Sequence, residues 1–276
     1  MISTIQFNLE QPLGLEESAY ILNSRLPQNK EYDVKTMNVY WSKMTQKSID
    51  DYKNWKDSFS GWKIKRYDII NHLIKKYNYF NYLEIGICDG DTFSKINIEH
   101  KDGVDPQPLN TEGDRLTNYK IPSDEFFDFI KGHDIKYDII FVDGLHFDYQ
   151  VHKDILNSLN HLQPNGTIVC HDMNPMYEVT QMKRGFNGVG MWNGDCWKAW
   201  AKLRVENPGL KMSVVDTDHG VGIIQFGQQD LFNINDVDKD LFNFMDNSAT
   251  FPLLEKHRKE LLNLISVDDF YKEYEL

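Results

Sequence analysis

The sequence predicts an α/β protein: a mostly parallel sheet with helices on both faces, finishing in an antiparallel hairpin. Two observations carry this. Four short apolar runs alternate with helical patterns: "NYLEIG" (81–86), "KDGVD" (101–105), "YDIIFVD" (137–143) and "GTIVCHD" (166–172). Strand–helix alternation is the signature of parallel strands joined by crossover helices. Later, "KMSVVDTD" and "VGIIQFG" follow one another across a short "HG" connection. That is too little chain for a crossover helix, so these two strands pair antiparallel.

The elements are justified in chain order. In residues 1–61, "MTQKSIDDYKNWKDSF" can form an amphipathic helix with Ile49, Tyr52, Trp55 and Phe59 on one face. This extension is read as a lid or a homodimer contact. "KRYDIINHLIKKYNYF" places Ile69, Ile70, Leu73 and Ile74 on a helix leading into the first strand. Further helices are expected after Asp91, over "SDEFFDFIKG", and from about Phe147 to Leu162. In the last of these Val151, Ile155, Leu159 and Leu162 form a stripe that "QPNG" interrupts. "GDCWKAWAKLRVENPG" reads as one more helix, which closes a central domain over 62–228 together with the hairpin. Residues 229–276 form an acidic, helical tail.

Composition narrows the function classes. A net charge of −12 and a pI near 5.2 argue against a nucleic-acid binder, which needs a basic face. The short basic stretch from Lys63 to Arg66 is read as solvated surface. Cys88, Cys170 and Cys196 are too few and too widely spaced for a disulfide framework or a zinc pattern. There is no signal-peptide pattern and no apolar run of membrane-spanning length, so a soluble cytoplasmic protein is expected, with no membrane partner.

In open α/β sheets ligands gather at the carboxyl ends of the strands. After the first strand, Gly86 and Gly90 bracket a tight loop that opens a helix. It matches neither G-x-G-x-x-G nor a P-loop. Glu84, Asp89 and Asp91 surround it, which suits a ligand carrying positive charge. Asp105 ends the second strand, where a carboxylate can accept hydrogen bonds from ribose hydroxyls. The most apolar run stops on Asp143, with His146 three residues on; the next strand stops on His171 and Asp172.

Taken in order, "YLEIGICDG", "GVDP", "SDEFF", "IIFVDGLHFDYQVHKDI", "LQPNGTIVCHDMNP", "WNGDCWKAW" and "VDTDHGVGII" resemble a class I S-adenosylmethionine-dependent methyltransferase. The resemblance covers roughly residues 62–228. It is narrower still to the branch with Asp-Gly-x-His, found among sugar O-methyltransferases of antibiotic and surface-glycan pathways. It implies a seven-stranded Rossmann-like sheet whose last two strands form the antiparallel hairpin. By resemblance Glu84, Gly86 and Gly90 line the methionine end of S-adenosylmethionine, Asp105 its ribose, and Ser123 or Asp124 the adenine. Asp143 belongs to the same cofactor surface.

Methyl transfer to a hydroxyl requires alignment and removal of a proton. Either a base with a pKa near ambient or a divalent cation that acidifies the hydroxyl meets the second need. His146 is the expected base, with Asp143 beside it. The resemblance implies that Asp143, Asp172 and the residue before it hold Mg²⁺ or a similar ion. That preceding residue is His171 here, where the relatives carry an acid. His171 then ligates a softer ion, Asn174 supplies an oxygen, or His146 works without a metal. Trp192 or Trp197 can pack on a sugar ring, Trp197 and Trp200 equally suit the core, and Lys183 and Arg184 can meet a phosphate. His152 is read as structural, and His219 as an exposed turn residue. The acceptor class is a carbohydrate or nucleotide sugar. The alternatives are another small hydroxylated or phosphate-like acceptor, or a non-catalytic cofactor-binding subunit.

Overall fold

A computed structural model describes residues 46–181, 191–233 and 251–276. The sequence-based expectations for residues 1–45, for Lys183 and Arg184, and for 234–250 lie outside them. Seven strands form one sheet: β1 (Asn81–Ile85), β2 (His100–Val104), β3 (Tyr137–Val142), β4 (Leu162–Cys170), β5 (Leu210–Val215), β6 (Val221–Phe226) and β7 (Leu264–Ile265), in the order β2-β1-β3-β4-β6-β5-β7. β1 pairs parallel with β2 and β3, and β3 parallel with β4. β6 runs antiparallel to both β4 and β5. The chain leaves β1 for β2 on one side and returns to β3 on the other. The strand order therefore reverses at β1 and β3, the crevice where such sheets take ligands.

Two details differ from the sequence-based expectation. The hairpin β5–β6 is not the end of the sheet, because β7 adds parallel to β5 at the edge, Val214 opposite Leu264 and Val215 opposite Ile265. On the far edge, beyond β2, Tyr119 makes only an isolated parallel bridge to Val104. The hairpin connection is also longer than two residues. It runs from Asp216 to Gly220, with Asp218, His219 and Gly220 all at positive φ.

The helices are α1 (Gln46–Ser58), α2 (Arg66–Tyr77), α3 (Asp91–Lys95), α4 (Thr111–Leu116), α5 (Ser123–Ile130), α6 (Asp148–Asn160), α7 (Cys196–Glu206), α8 (Phe251–Leu262) and α9 (Val267–Glu273). Strand alternation splits the core in two, since successive side chains point to opposite faces. Ile140 and Val142 of β3 join Phe126, Val151, Ile155, Trp197, Trp200 and Leu254 on one side. Ile139 and Phe141 join Ile69, Leu73, Phe93, Phe270 and Tyr274 on the other. Trp197 and Trp200 are thus core residues. Their indole N–H groups donate to Gln181 Oε1 and to the Leu262 carbonyl. Residues 251–276 of the tail are integrated: α8 packs on one face, α9 on the other, and β7 lies between them.

α1 carries its aromatic face inward. Tyr52 is buried and meets Tyr177 edge-on at 5.9 Å, while Trp55 stacks on Phe59 at 4.6 Å. Trp62 continues this aromatic series to His219. The helix therefore covers the turn Glu178–Gln181 after β4. No helix among the described residues is long and apolar enough to cross a membrane.

Candidate active site

The site is built where β1, β3 and β4 end. The backbone N–H of Asp143 donates to the Ile85 carbonyl, and that of His171 to the Val142 carbonyl, which carries the ladder one residue past each strand. Gly86 has φ +92°, and a Cβ there would sit 2.2 Å from the Asp143 carbonyl oxygen. Only glycine lets the first loop and the Asp143 loop touch at the reversal point. Asp172 is in the left-handed region at φ +64°, a conformation an aspartate holds only when its surroundings fix it.

Four titratable side chains converge. His146 Nε2 lies 3.3 Å from Asp143 Oδ1, and His146 Nδ1 lies 3.2 Å from Asp172 Oδ2. The second contact is off-line, so Nδ1 is buried with no hydrogen bond. His171 Nδ1 stands between the same carboxylates, 3.3 Å from Asp143 Oδ1 and 3.2 Å from Asp172 Oδ2. Burial pushes both aspartates up, but the charge of His171 outweighs it and holds them below the ordinary carboxylate range; His146 adds to this. Burial pulls both imidazoles down, and the two carboxylates overcome it, most strongly at His171. Without ligand, then, the cluster is a set of charges locked together.

Several expected residues take other places. Glu84 is buried beneath the sheet, accepts a very short hydrogen bond from the Tyr82 hydroxyl, and is pushed by burial to about 8. It is mostly uncharged at neutral pH, so the acidity of the loop rests on Asp89 and Asp91, and Asp91 pairs with Lys95 at 2.7 Å. Asp105 clamps the glycine loop: Oδ2 accepts from the Ile87 and Cys88 amides and Oδ1 from that of Gln107. Gly90 begins α3 at φ +82°, against Leu116. Ser123 donates to Asp154 Oδ1 at 2.7 Å, and Asp124 pairs with Lys153 at 2.6 Å, so both tie α5 to α6. Asn174 is turned away from the cluster toward Asp216 and Arg258, which removes it as a metal ligand.

Arg66, Asp218 and His219 escape a sequence reading, and Trp192, already a candidate, meets neighbours there that the sequence does not show. Arg66, expected on the surface, lies 3.7 Å from Asp143 and 3.0 Å from Asp218. Asp218 faces His171 Nε2 at 3.7 Å. His219, expected exposed, is packed between Trp62 and His171, where burial lowers its pKa. Finally, the "WNGD" segment folds over the Asp143–His146 loop. Trp192 stacks on the His146 ring at 5.1 Å, Asn193 Nδ2 donates to Asp172 Oδ1 at 2.7 Å, and Asp195 accepts from the Asp148 amide at the start of α6. The Asn-Gly pair was the one local hint of a turn there.

The donors also fit a divalent cation. Asp143, His146 and Asp172 each present a ligand atom, all within 4.8 Å of one another, and the buried Nδ1 of His146 lacks a hydrogen bond. Two oxygens and one nitrogen suit a first-row ion at least as well as magnesium. The imidazole in this set is His146, while the expected His171 has its Nδ1 3.3 Å from Asp143 Oδ1 and 3.2 Å from Asp172 Oδ2.

Residues 83–173 match the family model described as a methyltransferase domain. No curated protein matches the chain. Among solved structures, the SAH-bound methyltransferase of Podospora anserina is 16% identical over 74% of this chain and 98% of its own, with a TM-score of 0.44. An O-methyltransferase from Bacillus cereus in complex with SAH is 11% identical over 66% of this chain and 92% of its own, at 0.46. The sugar N-methyltransferase KedS8 of Streptoalloteichus is 10% identical over 65% and 93%, at 0.41. The family match starts inside β1 and ends one residue beyond Asp172, so the stretch that carries the glycine loop and the Asp143–His146–Asp172 cluster is methyltransferase-like in sequence, the mark of an enzyme.

Proposed function

We propose that the protein transfers a methyl group from S-adenosylmethionine to a hydroxyl of a small carbohydrate or nucleotide-activated sugar. The observation that carries this reading is the position of His146, held between Asp143 and Asp172 beside the reversal point of a sheet whose first loop is Gly86–Gly90. When bound, the cofactor supplies an electrophilic methyl on a sulfonium, displaced in line by the acceptor oxygen. His146 takes the hydroxyl proton as the carbon–oxygen bond forms and the carbon–sulfur bond breaks. Burial lowers the proton affinity of His146, and Asp172 and Asp143 outweigh it and raise it. Asp143, beside a bound cationic methyl donor, would share its charge with that group and hold the His146 proton less tightly, so that His146 could act as the base.

Asp143 and Asp172, with the His171 nitrogen between them, would hold a divalent cation that would acidify an acceptor hydroxyl, leaving His146 as the base. The Asp-Gly-x-His pattern supports a sugar acceptor. So does the rim: Trp192 meets Phe147, which Tyr149 stacks on, and Leu145 and Tyr149 are exposed, surfaces that pack on the apolar face of a pyranose.

The test is incubation with methyl-labelled cofactor and a panel of nucleotide sugars and simple hydroxylated acceptors, with and without EDTA. Label in a nucleotide sugar supports the reading. Cofactor binding with no turnover on any acceptor replaces it with a non-catalytic subunit, and turnover indifferent to EDTA removes the cation.

A further inference from the structure

Arg66 opens α2 and reaches the end of the sheet from outside the matched domain stretch. Its Nε donates to Thr92 Oγ1 at 2.8 Å, and its Nη1 to Asp218 Oδ2 at 3.0 Å. The Arg66 amide donates to the same Asp218 oxygen at 2.9 Å, so backbone and side chain are pinned together. Nε also lies 3.7 Å from Asp143 Oδ2.

A guanidinium carries five N–H donors in a planar fork. Two of Arg66's are committed to Thr92 and Asp218, and the side chain is 23% exposed. Three donors are therefore left on a cation fixed beside Asp143, at the end of β3, and Thr92, in the first turn of α3. A purely structural arginine, there to neutralise Asp143 and Asp218, needs no open side. The surrounding rim is acidic, with Asp89 and Asp91 exposed at the entry to α3. Such a rim attracts ammonium and sulfonium groups and repels a carboxylate. A ligand with an amino-acid end brings both charges, and its carboxylate needs a donor within this rim.

We propose that Arg66, oriented by Thr92 and Asp218, binds the carboxylate of the cofactor's methionyl end. The assignment rests on the S-adenosylmethionine reading above. Arg66 is thus a cofactor-binding residue contributed by the segment before β1. Its planar fork matches a carboxylate bidentately in a way that lysine does not.

Isothermal titration separates this role from a structural one. The probes are S-adenosylhomocysteine and its decarboxylated counterpart, titrated into wild type, Arg66→Lys and Arg66→Met. Wild type is expected to bind the carboxylate-bearing ligand at least about 10-fold more tightly. Arg66→Met should lose about 10- to 100-fold for that ligand and less than about twofold for the decarboxylated one, with Arg66→Lys in between. Equal losses for both ligands, or no preference in wild type, overturn the assignment. The wild-type comparison stands even if Arg66→Met fails to fold. Wild type that binds neither ligand overturns the cofactor reading together with this one, whereas tight binding without the Arg66 difference overturns this one alone.

Discussion

Asn193 donates its Nδ2 proton to Asp172 Oδ1 at 2.7 Å from a loop 21 residues further along the chain. Both partners are buried, and Asp172 stands in the left-handed region, where this bond is one of its restraints. Removing a hydrogen bond to a buried charge costs about 1.5–3 kcal/mol. Asn193→Ala should therefore lower kcat about 10- to 100-fold. Asn193→Asp should do worse, because it sets a second carboxylate against Asp172. Steady-state kinetics beside a thermal melt check this. Unchanged kcat in a folded Asn193→Ala protein would show that Asp172 needs no such support.

Gly194 has φ +62°, and a Cβ there would lie 2.0 Å from the His146 carbonyl oxygen. Neither the backbone conformation nor the space admits a side chain. Gly194→Ala is expected to destabilise by about 2 kcal/mol or more and to cut activity by displacing His146. A variant with wild-type melting temperature and turnover contradicts the packing described here.

General-base catalysis contributes about 10²–10⁴-fold. His146→Ala should lose that much in kcat while its affinity for S-adenosylhomocysteine stays within about threefold. A loss below about tenfold assigns the proton to another group.

Asp154 is buried in α6, and burial raises its pKa to about 6, against Ser123 and Gln150, which lower it. A folded value above the unfolded one, about 3.9, means that the neutral acid favours the fold. This contribution is fully present below about pH 4 and is lost as pH rises through about 6, a change of about 3 kcal/mol. Asp154→Asn keeps an acceptor for the Ser123 hydroxyl and cannot ionise. Its melting temperature should exceed that of wild type at pH 7.5 and approach it at pH 4.5. A difference independent of pH would mean that Asp154 is ionised throughout.

The strands and their polar ends were legible because each is written in a few consecutive residues. An apolar run ending on Asp143, with His146 after it, locates two members of the titratable cluster without any tertiary information. Asp105 and Glu84 were legible in position, but their contacts were not, since the partners are backbone amides and a tyrosine two residues away on the same strand. Arg66 and Asp218 were not legible at all. They are 152 residues apart, and each is ordinary in its own neighbourhood, one in a basic stretch and the other in a turn. The aromatic spacing of Tyr52, Trp55 and Phe59 forecast an amphipathic helix but not its seat beside Tyr177. β7 has only two residues, too short for any periodic signal.

That small strand has a consequence for biosynthesis. Leu264 and Ile265 pair with Val214 and Val215, and the Asp216 amide donates to the Ile265 carbonyl, at the root of the turn that presents Asp218 and His219. Among the described strands this bracing segment is synthesised last, so a nascent chain can stack the parallel strands early yet lacks the brace for this charged turn. Bracing of the Asp218–His219 turn is thereby deferred until translation has passed residue 265.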